Sequence, residues 1–572
     1  MPPGSDPTET FDLIVLGSGA AGLTAALTAA LEGGSVLVVE HAAVWGGTTA
    51  RSSGTVWIPD NRAMRAAGRD DRDAAEAYLD GLVGDLAPRE MRRAFLDAAP
   101  AMEADLTARS GLALSPMPAA PDYRQDVPGA AEGWRAMAPG AFDGRRLGPD
   151  FATMAAPLPE LMLFGGMMLT RPEAARLVRA DRSISAALHG ARLTARFLAD
   201  RATGHARGTR LVLGNALAAH LFHAARVRGV TLRTGVETLG LLREGGAVVG
   251  VAVRDGAGER RILARRGVVL AGGGFPASPE WRARELPNPT PEWTPAAPGA
   301  VGRTIELGLE AGGALGPAGR DNALWFPSSI RRRADGSTAV YPHIVLDRSK
   351  PGGIAVDASG RRFVNEAVSY HEFVRAMYAA NSERASVPAW LVCGREFIRR
   401  YGLGLIRPRP PSLRACLADG YLIEGRDARD LAKRAGIDPE GLAATLGAFD
   451  AAAARGEDPE FGRGSTIYDR SNGDPEHGPN PCLGPVGAGP LYAVKLWPTP
   501  LGTSRGLATD VAGRALDGAG APIPGLYVCG NDMQSAFGGE YPGAGAQLGQ
   551  GMTFGWLAAR HAMTGGATGG KT

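Results

Sequence analysis

Apolar residues fill positions 11–16, a glycine-rich hexad interrupts them, alanine and leucine dominate 20–31, and a second apolar run at 36–39 ends on Glu40. Two short apolar runs around an alanine-rich stretch predict strand, glycine turn, helix and strand, a βαβ unit. Within 70–110 the spacing becomes helical, with Tyr78, Leu79, Leu82, Val83 and Leu86 on one face. Residues 115–150, rich in Pro and Gly, predict irregular structure, and helical spacing resumes over 171–228. From 230 to 270 short strands are broken at Gly245-Gly246 and Asp255-Gly256, and the section closes on GVVLAGGGF, an apolar strand running into glycines. The texture changes over 326–498: strands, then helices around 371–380 and 439–455, then a Pro/Gly/Asn-rich stretch near 471–490. The tail returns to a strand at 526–529 and a helix at 548–561. The pattern predicts an α/β fold whose first domain comprises 1–325 and a return segment 499–572, with an α+β domain inserted at 326–498. No solenoid repeat is visible.

Composition agrees with that division. A chain of 572 residues exceeds the usual reach of one hydrophobic core. The 81 glycines are about twice the usual share, which implies many close approaches of backbone to backbone or ligand. Net charge is +3 from 62 basic and 59 acidic residues, too small a surplus for a nucleic-acid partner. Cys393, Cys416, Cys482 and Cys529 are scattered without a C-x-x-C, so neither a zinc nor an iron–sulfur site is expected, and a reducing, cytoplasmic setting fits. No secretory signal and no window of ~20 apolar residues are visible. The apolar stretch 161–169, LMLFGGMML, is too short to span a bilayer. It reads as a buried segment, with a lid over an apolar substrate or a peripheral contact with a membrane face as alternatives.

The hexad carries the first chemistry. In Gly17-Ser18-Gly19-Ala20-Ala21-Gly22, Gly17 allows the tight turn, Gly19 lets backbone amides approach a pyrophosphate, and Gly22 lets the helix pack on the strand. The helix N-terminus adds its dipole toward that phosphate. Glu40, at the end of the second strand, is placed to accept hydrogen bonds from an adenosine ribose. NAD and FAD both satisfy this Rossmann-like fingerprint, and the sequel favours FAD. Gly46-Gly47-Thr48-Thr49-Ala50-Arg51-Ser52-Ser53-Gly54 offers a run of amides and hydroxyls. Ala271-Gly272-Gly273-Gly274 and Gly525-Leu526-Tyr527-Val528-Cys529-Gly530-Asn531-Asp532 each end an apolar strand in small residues. Four such ends suggest a long cofactor along the C-terminal edge of one sheet. The expected cofactor contacts are Gly17, Gly19, Ala20, Ala21, Gly22, Glu40, Gly47, Thr48, Thr49, Ser52, Gly54, Val236, Ala271, Gly272, Gly530, Asn531, Asp532, Gly545 and Leu548.

Three further stretches carry a resemblance: Pro121-Asp122-Tyr123; Arg362-Phe363-Val364-Asn365-Glu366-Ala367-Val368-Ser369-Tyr370; and Tyr541-Pro542-Gly543-Ala544-Gly545, leading into a helix with Met552-Thr553-Phe554-Gly555. Over nearly its whole length the chain resembles the FAD-dependent 3-ketosteroid dehydrogenases, within the fumarate reductase and succinate dehydrogenase flavoprotein superfamily. The resemblance implies a Rossmann-like FAD-binding domain with an inserted catalytic domain, and desaturation of a 3-oxosteroid at C1–C2. It makes Tyr370 the base and Tyr123 its support. Tyr541 and the amide of Gly545 would polarise the ketone, and the hydride would pass to flavin N5. The motif reads Tyr541-Pro542-Gly543-Ala544-Gly545 where the steroid enzymes commonly have a second proline, and 150–215 is longer than in compact members, so the identity of the ketone stays open.

The residue types suit that chemistry. Removing a proton beside a carbonyl builds charge on oxygen, which a phenol and a backbone amide stabilise as an oxyanion hole. A tyrosinate is strong enough as base if its ordinary pKa of ~10 is lowered by dipoles or positive charge. The alternatives are a smaller cyclic ketone such as cyclohexanone, 3-oxosteroid desaturation at C4–C5, fumarate-reductase-like ene reduction, and a non-enzymatic electron carrier. The Glu540-Tyr541-Pro542-Gly543 stretch suits a neutral ketone better than a dicarboxylate. His41 follows Glu40 directly and no histidine takes the usual place before Gly46-Gly47, so FAD is expected to be non-covalent. Without cysteine clusters, electrons are expected to leave to an external acceptor such as a quinone.

Overall fold

In the computed structural model, which describes residues 9–177, 181 and 183–565, the larger sheet has eight strands. Its core is a parallel ladder of Thr231–Thr234, Val36–Glu40, Glu9–Leu16, Gly258–Leu270 and Pro522–Val528, in that spatial order. Register brings Leu16 beside Val39 on one side and Leu270 on the other, and Leu270 beside Val528. Leu13, Ile14, Val15, Val38 and Val269 are wholly buried because both faces of the ladder are covered. That is why these strands read as continuous apolar runs rather than alternating ones. The strand Gly258–Leu270 is long enough to serve two partners: its first half pairs antiparallel with Ala247–Asp255, which pairs in turn with Glu237–Glu244.

Helix Ala20–Leu31 crosses the C-terminal helix Ala546–Thr564 closely enough that small residues are required. A Cβ on Gly555 would sit 2.6 Å from the Ala21 carbonyl oxygen. Helices Arg72–Val83 and Arg89–Ser110 occupy the stretch with helical spacing, with Tyr78, Leu79, Leu82 and Val83 buried.

The second sheet is antiparallel, in the order Thr338–Pro342, Ala323–Arg332, Leu491–Thr503, Ala389–Gly394, Gly353–Val356, with Ile423–Gly425 also on Leu491–Thr503. Two of its strands, Ala323–Arg332 and Leu491–Thr503, straddle the limits of 326 and 498 set by texture alone. The two pair with each other from Ala323–Thr503 to Ser328–Trp497, so the ladder runs unbroken across both limits. Helices Tyr370–Asn381 and Pro439–Ala453 lie where helical spacing placed them.

The span 171–228 holds three helices, Arg171–Leu177, Ile184–Ala202 and Leu213–Val227. In the stretch before them Met162, Met167 and Met168 are buried, but Phe164 is 67% exposed, so the segment is only partly the buried one expected. Ile184, Leu188 and Leu198 also face outward on the middle helix. Among the described residues no helix is long and apolar enough to cross a membrane.

The helix crossing gives a direct test. Gly555→Ala is expected to lower unfolding free energy by about 1–3 kcal/mol, the usual cost of overpacking. Gly240→Ala, with nothing within 4 Å of the new methyl, is expected to leave it unchanged. Urea unfolding of both variants reads the difference, and equal stabilities would contradict the close crossing.

Candidate active site

The loops that follow four parallel strands converge on one sheet edge. Gly17, at φ +111°, donates its N–H to the Val39 carbonyl at 2.8 Å. A Cβ there would lie 2.3 Å from the Ala271 carbonyl, so the first loop touches the third. Gly22 is barred from a side chain by the Gly17 carbonyl, 2.1 Å from its would-be Cβ. Gly19 caps helix Ala20–Leu31, and Ala20 donates to Thr49 Oγ1 at 2.9 Å, tying that helix to Gly47–Arg51. Among the described residues, the N–H groups of Ala21 and Gly22 have no acceptor in the protein, which suits a phosphate at this helix N-terminus.

Glu40 first fastens its own loop. Its Oε2 accepts from the Ser18 amide (3.0 Å) and hydroxyl (2.6 Å), and its Oε1 from the Ala42 amide (2.9 Å). Oε1 retains a lone pair for a ribose hydroxyl. Asp532, fully buried, accepts from the amides of Gly272 (2.6 Å) and Gly274 (2.8 Å) and so joins the third strand end to the fourth; burial pushes its carboxyl above the usual range. Ser52 Oγ accepts from the Gly54 amide, Thr48 Oγ1 accepts from the Ala297 amide, and Asn531 reaches the Gly273 carbonyl at 3.4 Å. Val236 is buried with its N–H on the Glu40 carbonyl, Leu548 is half-buried, and Gly530 lies against Ala21. Free amides at a helix N-terminus, a carboxylate at the second strand end and a cradle closed to Cβ atoms fit FAD. Exposed His41 takes no part in this cradle.

The phenols lie beside this edge. Tyr123, Tyr370 and Tyr541 form a mutual trio, with ring centroids 5.4 Å (Tyr123 to each of the others) and 5.5 Å apart. The hydroxyls of Tyr123 and Tyr370 are 2.8 Å apart. Tyr370 opens helix Tyr370–Asn381, with Ser369 as N-cap accepting from the Glu372 amide. The loop leading to it is anchored by Glu366, which accepts from Arg362, Arg463 and the Ala355 amide, while Arg348 donates to the carbonyls of Glu366 and Val368. Arg375, farther along the helix, donates to Glu540 (2.7 Å) and the Gly539 carbonyl, locking the Tyr370 helix to the Tyr541 loop. Gly545, at φ +90°, caps the C-terminal helix; its N–H has no acceptor among the described residues. A small cavity of about 10 Å³ beside Tyr541 is lined by Thr503, Ser504, Asn531, Ser535, Glu540 and Gln547 among others.

Electrostatics here run against one expectation. Burial pushes Tyr370 and Tyr123 well above 10, and the neighbouring phenols add to the rise. Burial also raises Tyr541 to about 12. A lowered pKa was expected of the base, yet the groups packed on Tyr370 are Tyr123, Tyr541 and Phe326 rather than a cation. What favours the anion is the first-turn position of Tyr370 on its helix, while its hydrogen bond with Tyr123 adds to the rise.

This geometry defines a flavoenzyme that works on a carbon acid beside a carbonyl. The FAD binding domain family matches residues 12–548. The 4-oxocyclohex-2-ene-1-carboxylate 5-dehydrogenase of Sinomonas cyclohexanicum is 37% identical over 97% of this chain and 94% of its own. The 3-oxosteroid 1-dehydrogenase of Mycobacterium tuberculosis (strain ATCC 25618 / H37Rv) is 36% identical over 97% of this chain and 98% of its own. The crystal structure of 3-ketosteroid delta1-dehydrogenase from Sterolibacterium denitrificans in complex with 1,4-androstadiene-3,17-dione matches at TM-score 0.91 and 36% identity, over 98% of this chain and 100% of that one. The chain belongs to the FAD binding domain family and, with these relatives, to the FAD-dependent 3-ketosteroid dehydrogenase family, oxidoreductases acting on CH–CH groups.

The structure brings Tyr123, Tyr370 and Tyr541 together, with Gly545 four residues after Tyr541. It adds Tyr468, whose ring lies 5.1 Å from Tyr123 and whose hydroxyl burial raises to about 12. No local motif marks Tyr468; only the fold brings its helix Ile467–Asn472 here. A separate chain, Ser329 Oγ to His343 to Asp347, has hydrolase-like order with both links at 2.7 Å. All three are buried and Ser329 is taken up by the Tyr421 hydroxyl, so it serves the fold.

The Glu366 anchor has a pH signature. Burial alone would raise its carboxyl, but Arg362 and Arg463 overcome it and hold the group below the usual range. Its stabilisation is therefore present above the unfolded value of ~4.3 and lost as pH falls through the lower folded value. Glu366→Gln is expected to lose about 3–5 kcal/mol at pH 7, the usual cost of breaking a buried pair. The gap to wild type should narrow toward pH 3 in denaturant titrations; a constant gap would refute the assignment.

Proposed function

We propose that this flavoenzyme desaturates a cyclic ketone beside its carbonyl, a 3-oxosteroid at C1–C2. The observation that carries the reading is the meeting of three buried phenols from distant segments with the unpaired amide of Gly545. Tyr541 and the Gly545 N–H hold the ketone oxygen as charge builds on it. Tyr370 takes the proton from the neighbouring carbon, and Tyr123 holds Tyr370 as its anion and passes the proton on. FAD, held non-covalently, supplies the acceptor for the hydride lost from the next carbon. The residues proposed to hold it are those of the glycine hexad, Glu40, the Gly47–Gly54 run with Thr48, Thr49 and Ser52, Val236, Ala271 and Gly272, Gly530 to Asp532, Gly545 and Leu548. The electrons go on to an external acceptor such as a quinone, in the cytoplasm. The division into 1–325 with 499–572 and an inserted 326–498 assigns cofactor to one domain and base to the other.

A second reading, a smaller oxocyclohexane-type ketone, is favoured by the 37% identity to the Sinomonas enzyme. An anaerobic screen watching the flavin band separates the two: bleaching by a 3-oxosteroid supports the first, bleaching only by 4-oxocyclohexanecarboxylate the second.

Because burial holds Tyr370 above 10, the tyrosinate fraction grows through the whole range the protein tolerates. Single-turnover flavin reduction is expected to rise with pH from about 6 to 10 without a plateau. Tyr370→Phe should cost ~10²–10⁴ in that rate and abolish the rise, and Tyr541→Phe ~10²–10³, both with flavin content unchanged. A Tyr370→Phe variant that keeps the rate and the alkaline rise would remove Tyr370 from the mechanism.

The outward face of the Phe164 and Ile184–Ala202 region is proposed to touch an anionic lipid surface. Phe164, Ile184, Leu188 and Leu198 are exposed there beside Arg192 and Arg201. Flotation with phosphatidylserine vesicles is expected to carry the protein, and Leu188→Asp with Leu198→Asp to release it; equal flotation of both proteins contradicts the contact.

A further inference from the structure

We propose that Tyr78 is a positioning residue for the proton-transfer pair, acting through the backbone of Tyr123; this rests on the desaturase reading above. Tyr78 lies in helix Arg72–Val83, wholly buried, outside every motif that marks the site. Its hydroxyl does not serve its own helix. It donates to the Pro542 carbonyl at 2.7 Å and accepts from the Arg124 amide at 3.3 Å. The same Pro542 carbonyl accepts from the Tyr123 amide at 3.0 Å. One carbonyl, immediately after Tyr541, thus has both lone pairs used, one by Tyr78 and one by Tyr123. Tyr78 thereby fixes the relative positions of the Tyr541 loop and the Tyr123 loop, whose phenols must both meet Tyr370.

The opposite side of Tyr123 is pinned too. Asp122 accepts from Trp57 Nε1 (2.8 Å), Arg135 (2.6 Å) and the Ala131 amide (3.0 Å). The backbone on both sides of Tyr123 is therefore held, by Asp122 before it and by Tyr78 on the Arg124 amide after it. A packing tyrosine would need only a satisfied hydroxyl. Tyr78 instead places both its bonds on the two loops that carry reacting phenols. Loss of the hydroxyl leaves the Pro542 carbonyl with one donor and the Arg124 amide without its acceptor, freeing the Tyr123 hydroxyl from its 2.8 Å contact with Tyr370.

The test uses the flavin-loaded enzyme with a ketone that bleaches wild type; if no ketone does, the desaturase reading itself fails. Tyr421→Phe is the control, since Tyr421 is also buried but bonded to Ser329 and the Leu405 amide. Tyr78→Phe is expected to slow flavin reduction about tenfold with KM changed less than about twofold, because a misplacement of ~1 Å costs up to ~10²-fold. Tyr421→Phe should match wild type in rate. Combined with Tyr123→Phe, Tyr78→Phe should add less than about twofold further loss, as expected of two groups acting as one unit. A wild-type rate in Tyr78→Phe, equal slowing by Tyr421→Phe, multiplicative losses in the double variant, or loss of flavin or of cooperative unfolding would each overturn the proposal.

Discussion

The Tyr541–Gly545 turn lies so flat against Thr55–Trp57 that no Cβ fits on its inner side. At Gly543 a Cβ would meet Trp57 Nε1 at 2.7 Å, at Gly545 the Thr55 carbonyl at 2.3 Å, and at Gly549 the Trp57 carbonyl at 2.3 Å. The Gly545 carbonyl in turn accepts from the Trp57 amide. This contact sets the depth of the C-terminal helix, and through it the height of Tyr541 above the sheet edge. Everything that reacts is measured from there: Tyr123 hangs on the Pro542 carbonyl, and the helix that begins at Tyr370 is drawn in by Arg375 on Glu540.

Two kinds of force share the work of holding the site. Steric exclusion fixes the cofactor edge, where backbone meets backbone at Gly17, Gly22 and Gly545. Buried ion pairs fix the loop before Tyr370, where Arg362, Arg463 and Glu366 occupy an interior that apolar side chains would fill without a desolvation penalty. The difference follows from the task. A loop that must present one phenol at a set angle gains from directional, charge-assisted bonds, which hydrophobic contact does not supply.

Keeping the phenols dry has a chemical consequence. Burial that excludes water from Tyr123, Tyr370, Tyr468 and Tyr541 also raises their pKa values, so the resting site holds neutral hydroxyls. A dry site strengthens each hydrogen bond that the phenols proposed to hold a ketone oxygen would make. The same dryness keeps Tyr370 protonated over more of the pH range, which its place at a helix N-terminus partly offsets.

The sequence by itself determined the strand-end glycine turns of the sheet edge and singled out the three phenols proposed to react. The strand, hexad, helix and acid are contiguous, and their requirements are local: a missing Cβ at Gly17, an amide-rich turn, a carboxylate at Glu40. Tyr123, Tyr370 and Tyr541 were legible through short motifs, and helices around 371 and 439 through their spacing. Only the tertiary structure decided how those phenols are held and how they titrate. Tyr78, Asp122, Tyr468 and Arg375 act across separations that no periodicity records, and each looks like an ordinary core or surface residue in its own helix or loop. The strands Ala323–Arg332 and Leu491–Thr503 cross the limits of 326 and 498 because their pairing, not a change of texture, sets their ends. The direction of the Tyr370 pKa was missed because it depends on what surrounds the hydroxyl in space, and that is settled only when three distant segments close over it.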